Sequence, residues 1–360
     1  MRLGLVIYGS LETISGGFAY DRNLVRHLRA QKDVVEVISL PWRSYGRSLL
    51  DNFSAALHRR FRNVAVDLLL QDELAHPSLF WLNGRLRARV PYPLVAIVHH
   101  LRSREQRPAW QNRCYRALER RYLASVDALV CVSQTTRQDV ESLVGTGKPL
   151  VVATPGGDGL PGAVSPAQIE ARSLAPGPLR IIFAGSLIPR KELHTLLAAL
   201  ARLRQESWSL TIAGSLTAAP PYVQAIRRQL KTLGLTPKVA LLGNLSRAEL
   251  AARLAASHLL AVPSSYEGFG IVYLEAMRFG VPAVASTAGA AREIITPGRD
   301  GFLVPPGDAA ALAECLRPLL QDRARLLGLS LAAYQRAADF PTWEESAARV
   351  RSFLQGLEAS

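Results

Sequence analysis

The residues best suited to do chemistry lie in one segment, 263–277, which follows a predicted strand and opens a predicted helix. Gly268 and Gly270 allow the backbone to approach a ligand closely, and the N-terminus of a helix attracts an anion such as a diphosphate. Glu267 lies in the loop, and Glu275 follows eight positions later in the helix. Two carboxylates beside phosphates are explained if each binds neighbouring hydroxyls, one set on a ribose and the other on a sugar. The alternative is an N-cap and a solvated helix residue, but the pattern of the whole segment favours a binding site.

Two further loops join a predicted strand to a predicted helix and could contact the same phosphates. Arg190 and Lys191 stand at the start of a helix, where a cation is unfavourable unless an anion binds there. Gly16 and Gly17 follow the first predicted strand, and a glycine pair before a helix predicted to begin near Tyr20 can contact phosphate. Taken alone, the first loop is also explained by surface cations and the second by a tight turn.

Short apolar runs alternate with helical patterns, twice along the chain. Continuous apolar runs are typical of parallel sheets that are covered on both faces. The alternation therefore predicts two doubly wound, Rossmann-like α/β domains. Ligands bind beyond the carboxyl ends of the strands in such sheets, so we expect the site in a central cleft that both domains face. The predicted strands are 3–8, 34–40, 64–70, 94–99, 128–132 and 150–153, followed by 179–184, 209–213, 239–242, 259–262 and 283–285.

A stretch rich in Pro, Gly, Ala and Ser separates the two patterns and predicts a domain linker. We expect an N-terminal domain at 1–158, the linker at 159–178 and a C-terminal domain at 179–340. A last helix at 341–360, which opens with a capping-box pattern, is expected to cross back to the N-terminal domain.

The composition is that of a globular chain of 360 residues with a formal charge of +14 and no apolar run long enough for a membrane helix. Three scattered cysteines indicate no disulfide framework, and residues 1–8 are more typical of a buried strand than of a signal peptide. These features predict a cytoplasmic protein. The basic surplus of the N-terminal half lies in two segments, 40–62 and 102–121, which form either a solvated surface or a face for an anionic partner.

An anionic membrane surface, at the inner face of the membrane, is the partner that we hypothesise for these segments. Aromatic residues that interleave with arginines are suited to lipid headgroups. In the helix predicted at 109–123, arginines occupy one face and apolar residues another. The aromatic residues among the arginines of 40–62 are Trp42, Tyr45, Phe53 and Phe61. In the helix, the basic face contains Arg113, Arg116 and Arg120, and the apolar face contains Trp110, Cys114 and Leu118.

The order of these motifs resembles the retaining glycosyltransferases of family 4, which have the GT-B fold. The resemblance runs through nearly the whole chain and is strongest from 181 to 308. It is carried by the glycine pair, a strand ending in His, a Gly…Lys loop, Glu-x7-Glu and Gly-Val-Pro. The segments are 16–17, 94–99, 185–191, 263–277 and 280–286, followed by Gly-Ala-Ala-Arg-Glu-Ile-Ile at 289–295 and Asp-Gly-Phe-Leu-Val-Pro-Pro-Gly-Asp at 300–308.

The resemblance implies a hexosyltransferase-type enzyme that moves a sugar from a nucleotide-diphosphate-sugar donor to an acceptor hydroxyl, with retention of configuration. The C-terminal domain would hold the donor and the N-terminal domain the acceptor, for which we hypothesise a lipid-linked or cell-envelope glycan. The donor is a substrate, and no cofactor is expected. No Asp-x-Asp motif is present in the sequence, which fits a metal-independent enzyme.

The resemblance also assigns roles to individual residues. Lys191 would hold the diphosphate, Glu267 the sugar hydroxyls and Glu275 the ribose. Backbone amides of the loop would bind sugar and phosphate, the glycine pair would close over the phosphates, and His99 would lie near the donor sugar. The predicted catalytic residues are His99, Lys191 and Glu267, and the predicted donor-binding residues are Gly16, Gly17, Ser186, Arg190, Lys191, Glu267, Gly268, Phe269, Gly270, Ile271 and Glu275.

The sequence departs from the family pattern beside the diphosphate. Ser186 follows Gly185 where the family often has Arg, and Arg190 would supply the missing charge. Glu192 replaces a usual Gly after the lysine.

Two pairs of neighbouring residues leave a choice open. The side chains of His99 and His100 face opposite ways if both lie in a strand, so one is expected to be structural, and the resemblance favours His99 at the site. Asp72 and Glu73 follow the strand predicted at 64–70, on the acceptor side. Either could orient an acceptor hydroxyl, and a helix N-cap is the alternative.

Retention is expected because the resemblance offers no general base for inversion and no clear nucleophile, although Glu267 is the nearest candidate. A dissociative reaction on one face, in which the departing phosphate takes the acceptor proton, fits these residues. Other functions remain as alternatives: a nucleotide-sugar epimerase of the same fold, a basic nucleic-acid-binding protein and a non-catalytic sugar-binding module. Glu-x7-Glu argues against the first, the lack of a nucleic-acid-binding motif against the second, and the complete donor site against the third.

Overall fold

The computed structural model describes residues 1–358, and these divide into two compact α/β units. One unit comprises Met1–Pro155 together with the chain from Thr342 on, and the other comprises Gly156–Pro341. Each unit contains a parallel sheet of six strands with helices in the connections. Among residues 1–358, none of the helices has the length and apolar character that a membrane crossing requires.

The sheet of the first unit has the strand order β2-β1-β3-β4-β5-β6, with every neighbouring pair parallel. All residues of the two central strands β3 and β4 are buried, which explains the apolar runs 68–70 and 94–98. The strands are β1 (Arg2–Tyr8), β2 (Val34–Leu40), β3 (Leu68–Asp72), β4 (Leu94–Val98), β5 (Ala128–Cys131) and β6 (Leu150–Val152). The helices between them are α1 (Gly16–Ala30), α2 (Tyr45–Ser48), α3 (Ala55–Asn63), α4 (His76–Leu79), α5 (Leu82–Leu86), α6 (Ala109–Ser125) and α7 (Gln134–Val144).

The sheet of the second unit has the order β12-β11-β10-β7-β8-β9, again with all pairs parallel. Its strands are β7 (Leu179–Ala184), β8 (Trp208–Ala213), β9 (Val239–Gly243), β10 (Leu259–Ala261), β11 (Ala283–Ser286) and β12 (Gly301–Val304). Its helices are α8 (Pro166–Leu174), α9 (Leu193–Arg202), α10 (Pro220–Thr232), α11 (Arg247–Ala256), α12 (Ile271–Arg278), α13 (Ala291–Ile294), α14 (Ala309–Gln321) and α15 (Arg323–Ala337). Short 3-10 turns occur at Leu49–Phe53, Glu73–Ala75, Arg102–Arg104, Pro189–Lys191 and Thr236–Lys238.

Three boundaries near the predicted site differ from the sequence prediction. Helix α1 begins at Gly16 rather than near Tyr20, because the Ser15 side chain accepts a hydrogen bond from the Phe18 N–H and caps the helix. Strand β3 covers Leu68–Asp72 rather than 64–70, because its register follows its parallel partners β1 and β4. Strand β4 ends one residue before His99, whose N–H binds a carboxylate instead of a strand.

The segment predicted as a linker, 159–178, contains helix α8, which belongs to the second unit. Ser165 and Gln168 form a capping box at its start. Ile169 is fully buried, and the Arg172 guanidinium donates to the Phe279 carbonyl at 2.8 Å. The composition is rich in loop-forming residues, but Pro at the first position of a helix is favourable, and this explains why the helix forms there.

The last helix, α16 (Trp343–Glu358), belongs to the first unit. Thr342 and Glu345 exchange the hydrogen bonds of a capping box at its start. Arg351 pairs with Asp33 at 2.7 Å, and the chain N-terminus binds the same carboxylate at 2.9 Å. Residues 359–360 of the predicted helix lie outside the described residues.

Candidate active site

Glu267 is the centre of a charged cluster in the second unit. Its side chain is buried, with Oε1 at 2.5 Å from Lys191 Nζ and 3.3 Å from Arg190 Nη1. Burial by itself would raise the pKa of this carboxyl, but the two cations hold it at about 2. The pKa of Lys191 is lowered, mainly by its own burial, while Glu267 acts in the opposite direction. One carboxylate and two cations leave the cluster with a net positive charge, which suits an anionic ligand.

Backbone hydrogen bonds tie the two loops of this cluster together. The Ser265 N–H donates to the Arg190 carbonyl at 2.8 Å, and Arg190 Nη1 donates to the Tyr266 carbonyl at 2.7 Å. Arg190 therefore faces the loop of Glu267. Gly185 lies beside the Lys191 side chain, since a Cβ there would be 3.5 Å from Lys191 Cε.

A third loop fixes the backbone of Glu267. The Ala290 N–H donates to the Glu267 carbonyl at 2.9 Å. Gly289 has φ +77°, and a Cβ on it would lie 2.1 Å from the same carbonyl oxygen. Only glycine fits this place, for steric and conformational reasons together. Gly289 belongs to segment 289–295 of the family pattern, which did not indicate a role for it.

Helix α12 begins directly after the loop of Glu267, and no side chain of the described residues caps its N-terminus. Gly270 is the N-cap residue at φ +98°, and a Cβ on it would overlap the Tyr273 ring at 2.4 Å. Phe269 is buried with its ring centroid 6.3 Å from that of Phe340. Gly268 precedes this pair, and Ile271 is the first, partly buried residue of the helix. The N-terminus of α12, where a helix favours an anion, therefore lies next to the cluster.

Glu275 lies one turn further along α12 in an environment opposite to that of Glu267. It is partly buried, and burial raises its pKa to about 7, with Arg247 acting weakly against this rise. Within residues 1–358, no donor lies within hydrogen-bonding distance of its carboxylate. Ser186 is also partly buried, and its carbonyl accepts from the Ile188 N–H at 2.9 Å.

In the first unit, the glycine pair forms the first turn of α1 rather than a tight turn before it. A Cβ on Gly17 would be 3.2 Å from His99 Cδ2, so the ring packs directly against the backbone of the helix. His99 is partly buried and faces acidic groups: Nε2 lies 3.4 Å from Asp21 Oδ1 and 3.9 Å from Asp72 Oδ1. Burial alone would lower the pKa of His99, but these carboxylates raise it to about 10.

Asp72 and Glu73 both contact the backbone. Asp72 Oδ1 accepts from the Leu74 N–H at 2.9 Å and so caps the turn that follows, which is the alternative role proposed from the sequence. Glu73 Oε2 accepts from the His99 N–H at 2.6 Å. Both residues are buried, and desolvation raises the pKa of Asp72 to about 7 and that of Glu73 well above its usual value. His100 lies apart from this group, with Nε2 at 3.0 Å from Glu105.

Comparison with known proteins identifies the family. The model of "Glycosyl transferases group 1" matches residues 165–336, and the model of "Glycosyltransferase Family 4" matches residues 16–158. The chain belongs to the glycosyltransferases.

Relatives of this glycosyltransferase are named as a glycogen synthase and as mannosyltransferases. Glycogen synthase of Mycobacterium tuberculosis is 30% identical over 75% of this chain and 64% of its own length. The MMP alpha-(1->4)-mannosyltransferase of Mycolicibacterium hassiacum is 33% identical over 73% of this chain and 65% of its length. A GDP-mannose-dependent alpha-(1-6)-phosphatidylinositol monomannoside mannosyltransferase of M. tuberculosis is 28% identical over 68% of this chain and 66% of its length. The chain spans slightly less than two thirds of the length of these relatives.

Solved structures show the fold. Sucrose-phosphate synthase from Thermosynechococcus elongatus superposes with a TM-score of 0.85 at 22% identity, covering 99% of both chains. Anabaena Alr3699/HepE in complex with UDP-glucose superposes with a TM-score of 0.77 at 20% identity, covering 99% of this chain and 100% of that one. The predicted membership of glycosyltransferase family 4 and the α/β fold of GT-B type are confirmed.

Sequence reasoning missed Asp21 of this glycosyltransferase. Asp21 lies in α1, one turn after Gly17, and is wholly buried. The available signal was an acidic residue four positions after a glycine on the same helix face. A single acidic residue at such a spacing is common on solvated helix faces, so only the packing of His99 against α1 gives it a role.

The arginine-rich surface of the glycosyltransferase differs in part from the prediction. Phe61 is fully buried and belongs to the core, and Tyr45 is partly buried between His76 and Tyr115. Trp42, Phe53 and Trp110 are more than half exposed. In α6, both predicted faces are largely exposed, because a third face, formed by Glu119, Tyr122 and Leu123, packs inward.

Proposed function

We propose that this glycosyltransferase transfers a hexosyl group from a nucleoside-diphosphate donor to an acceptor hydroxyl, with retention of configuration and without a divalent metal or cofactor. The observation that carries the proposal is the cluster of Lys191, Arg190 and Glu267 beside the uncapped N-terminus of α12. A positive cluster and oriented N–H groups can neutralise the charge that develops on a leaving diphosphate. Lys191 would take the diphosphate, and the backbone of Gly268 to Ile271 would bind phosphate and sugar.

The two acidic residues of the site are proposed to bind hydroxyls of the donor. Glu267 has a pKa of about 2 and is paired with two cations, which makes it a stable acceptor of sugar hydroxyls and a weak nucleophile. The Glu275 carboxylate accepts no hydrogen bond from the described part of the chain and is therefore suited to bind the ribose hydroxyls. His99 and the glycine pair of the first unit are proposed to contact the sugar and the phosphates.

In the reaction, the bond between the anomeric carbon and the diphosphate oxygen breaks, and the bond to the acceptor oxygen forms on the same face. The acceptor proton passes to the departing phosphate oxygen, so no side-chain base is needed. This dissociative course is supported by the environment of Glu267, which the cations hold in an ion pair rather than at a free, reactive position.

The names of the relatives and of one structural neighbour support a particular class of nucleotide-sugar donor. Two mycobacterial relatives are mannosyltransferases, one of them GDP-mannose-dependent, and one structural neighbour was solved with UDP-glucose. We therefore propose a UDP- or GDP-hexose as the donor.

A lipid-linked or cell-envelope glycan at the cytoplasmic face of the membrane is the acceptor that we propose. The exposed side of α6 carries Arg113, Arg116, Arg120 and Arg121, which form no ion pair within residues 1–358. Arg121 lies 4.6 Å above the Trp81 ring, and that ring is 5.7 Å from Phe53. Cations beside exposed aromatic rings suit an anionic lipid surface. One relative is named for a phosphatidylinositol-linked substrate, which supports the same acceptor class.

Thermal shift with UDP- and GDP-hexoses, in the presence and absence of EDTA, tests the donor proposal. A donor at 100 times its Kd should add about 2.7 kcal/mol of stability, which raises Tm by several degrees. Lys191→Ala should lose the shift, while Lys231→Ala, an exposed lysine of the same unit, should keep it. NMR of the product with the active donor then gives the anomeric coupling constant. An inverted product, a glycosyl adduct on Glu267, or activity that requires Mg²⁺ or Mn²⁺ would overturn the proposed mechanism.

A further inference from the structure

His99 is faced by carboxyl groups from two sides of its pocket. Asp21 approaches Nε2 from helix α1, and Asp72 approaches it from the end of β3. Glu73, in the turn after β3, binds the backbone N–H of His99. Tyr20 makes an edge contact with the His99 ring, with the two ring centroids 5.5 Å apart.

Asp21 is the residue of this group with the greatest need for a cation. Its side chain is wholly buried, and neither of its oxygens has a hydrogen-bond partner among the described residues. An ionised carboxylate in such a place is strongly unfavourable unless a positive charge lies beside it. Within residues 1–358, His99 Nε2 at 3.4 Å is the cationic group at ion-pair distance from it.

Two residues on one face of helix α1 contact the His99 ring. Gly17 and Asp21 are one turn apart, and the missing side chain of Gly17 leaves room for the ring edge at Cδ2. Asp21 then meets Nε2, while Glu73 holds the backbone. The ring is therefore fixed at both ends, and its other nitrogen, Nδ1, has no protein partner in the described part of the chain.

We propose that Asp21 is a positioning residue, which orients the His99 ring and keeps the proton on Nε2 so that His99 acts as an imidazolium. This proposal rests on the proposed function only in assuming that His99 contacts the sugar or the phosphates of the donor. An imidazolium donates hydrogen bonds and cannot accept the acceptor proton. Nδ1–H is thus left to donate to a sugar hydroxyl or a phosphate oxygen, and His99 is excluded as the general base.

A divalent cation is the competing explanation. One ligand atom from each of Asp21, Asp72 and His99 lies within 4.8 Å of the others. A metal on Nε2 would displace the proton that the two carboxylates otherwise share with the ring. Asp21 and Asp72 are buried and His99 is partly buried, and a proton on Nε2 balances the charge with groups that are already present.

Titration of the histidine side chains by ¹⁵N NMR, on the full-length protein without substrate, tests the proposal. In the wild type, His99 should remain an imidazolium from pH 6 to 9, in line with its pKa of about 10. Asp21→Asn should lower the pKa of His99 by about one to three pH units. Asp72 can replace part of the lost charge, since removing Asp21 also removes a group that raises the pKa of Asp72. The double variant Asp21→Asn/Asp72→Asn should therefore lower the His99 pKa further.

Two controls accompany the titration. Glu105→Gln removes the carboxylate beside His100 and should leave the His99 signals unchanged. Asp21→Glu retains the charge and should keep His99 protonated if Asp21→Asn proves unstable. With an active donor, kcat of Asp21→Asn should fall as pH rises toward 9, while the wild type stays level.

Three results would overturn the proposal: a neutral His99 at pH 7 in the wild type, an Asp21→Asn variant with the wild-type His99 titration, or His99 signals that change on adding EDTA or Zn²⁺ at micromolar concentration. Because the titration needs no substrate, its success together with absent transferase activity would count against the proposed function alone.

Discussion

At the scale of single residues, two glutamates from one motif differ in charge state. Glu267 lies between Lys191 and Arg190 and stays ionised, with a pKa of about 2. Glu275 is desolvated without a close cation, and its pKa rises to about 7. The difference follows from their neighbours, because both residues are buried enough for desolvation to matter. It gives one glutamate a fixed charge and the other a charge that responds to pH near neutrality.

Glu275→Ala should weaken donor binding through loss of the proposed ribose contact. A hydrogen bond to a charged group contributes about 1.5–3 kcal/mol, which corresponds to roughly 10- to 150-fold in affinity. The ionised form accepts the hydroxyls and grows as pH rises through about 7, so the loss should be larger at pH 8 than at pH 6. Calorimetry with the donor measures this, with Glu314→Ala, an exposed glutamate of the same unit, as the control. Equal affinities for Glu275→Ala and wild type would contradict the ribose assignment.

Lys191→Ala should reduce turnover more than Arg190→Ala does. Nζ of Lys191 contacts Glu267 and can shift to a phosphate, whereas Arg190 also holds the Tyr266 carbonyl. Loss of one group that stabilises the leaving charge typically costs about 10²–10³-fold in kcat. Arg190→Ala should instead lower Tm, because it releases the loop of Glu267. Steady-state kinetics and thermal unfolding of both variants, with Lys191→Arg as the charge-retaining control, check this. A larger kcat loss for Arg190→Ala would reverse the assignment.

At the scale of elements, the candidate donor site depends on how loops after three strands meet. The loop after β7 brings Lys191, the loop after β10 brings Glu267, and the loop after β11 brings Gly289. β10 lies between β7 and β11 in the sheet, so the carboxyl ends of the three strands are adjacent. This adjacency explains how Lys191 and Glu267, 76 positions apart in the chain, come into contact.

Gly289→Ala should lower both stability and donor affinity. The new Cβ would lie 2.1 Å from the Glu267 carbonyl oxygen, so the loop of Glu267 must move. Gly298→Ala is a matched control, since Gly298 has nearly the same φ, +79° against +77°, but no atom within 4 Å of the added Cβ. The left-handed conformation costs each variant about 1–2 kcal/mol, and only Gly289→Ala should also lose donor binding. The same donor affinity in both variants would show that this loop does not set the site.

At the scale of the whole molecule, the distribution of charge matters more than its total. The formal charge of +14 combines ion-paired and unpaired arginines, and those on the outer side of α6 are unpaired within the described residues. Exposed Phe53 and Trp110 belong to the same unit. Charge that is not compensated on the protein is available to an anionic surface.

The protein should float with anionic liposomes at low salt and be released at high salt, because screening shortens the range of attraction. Arg116→Glu/Arg120→Glu should abolish most of the binding, since each basic residue adds about 1 kcal/mol near such a surface. Arg227→Glu/Arg228→Glu reverses the same number of charges on exposed arginines of the second unit and should keep binding. Equal flotation with neutral and anionic vesicles, or equal loss in both double variants, would remove the basis for a membrane-proximal acceptor.

The sequence by itself determined the two α/β patterns, most strand positions and the family. The reason is that these depend on local periodicity and on motifs that are contiguous in the chain, such as the segment 263–277. Apolar runs at β1 and β7 match the structure to within one residue, because buried parallel strands admit few polar residues. The predicted bounds of the edge strand β2 also match, although its residues alternate between buried and exposed.

Only the tertiary structure decided the charge states and the partners. Pairing with β1 and β4 set the ends of β3. Lys191 and Arg190 lowered the pKa of Glu267 against the effect of its burial, whereas burial raised the pKa of Glu275. Helix α8 could not be predicted because its composition is typical of a loop. The position of Asp21 beside His99 could not be predicted because a single acidic residue in a helix forms no motif. Desolvation and Coulomb interactions depend on distances between groups far apart in the chain, and no local pattern records those distances.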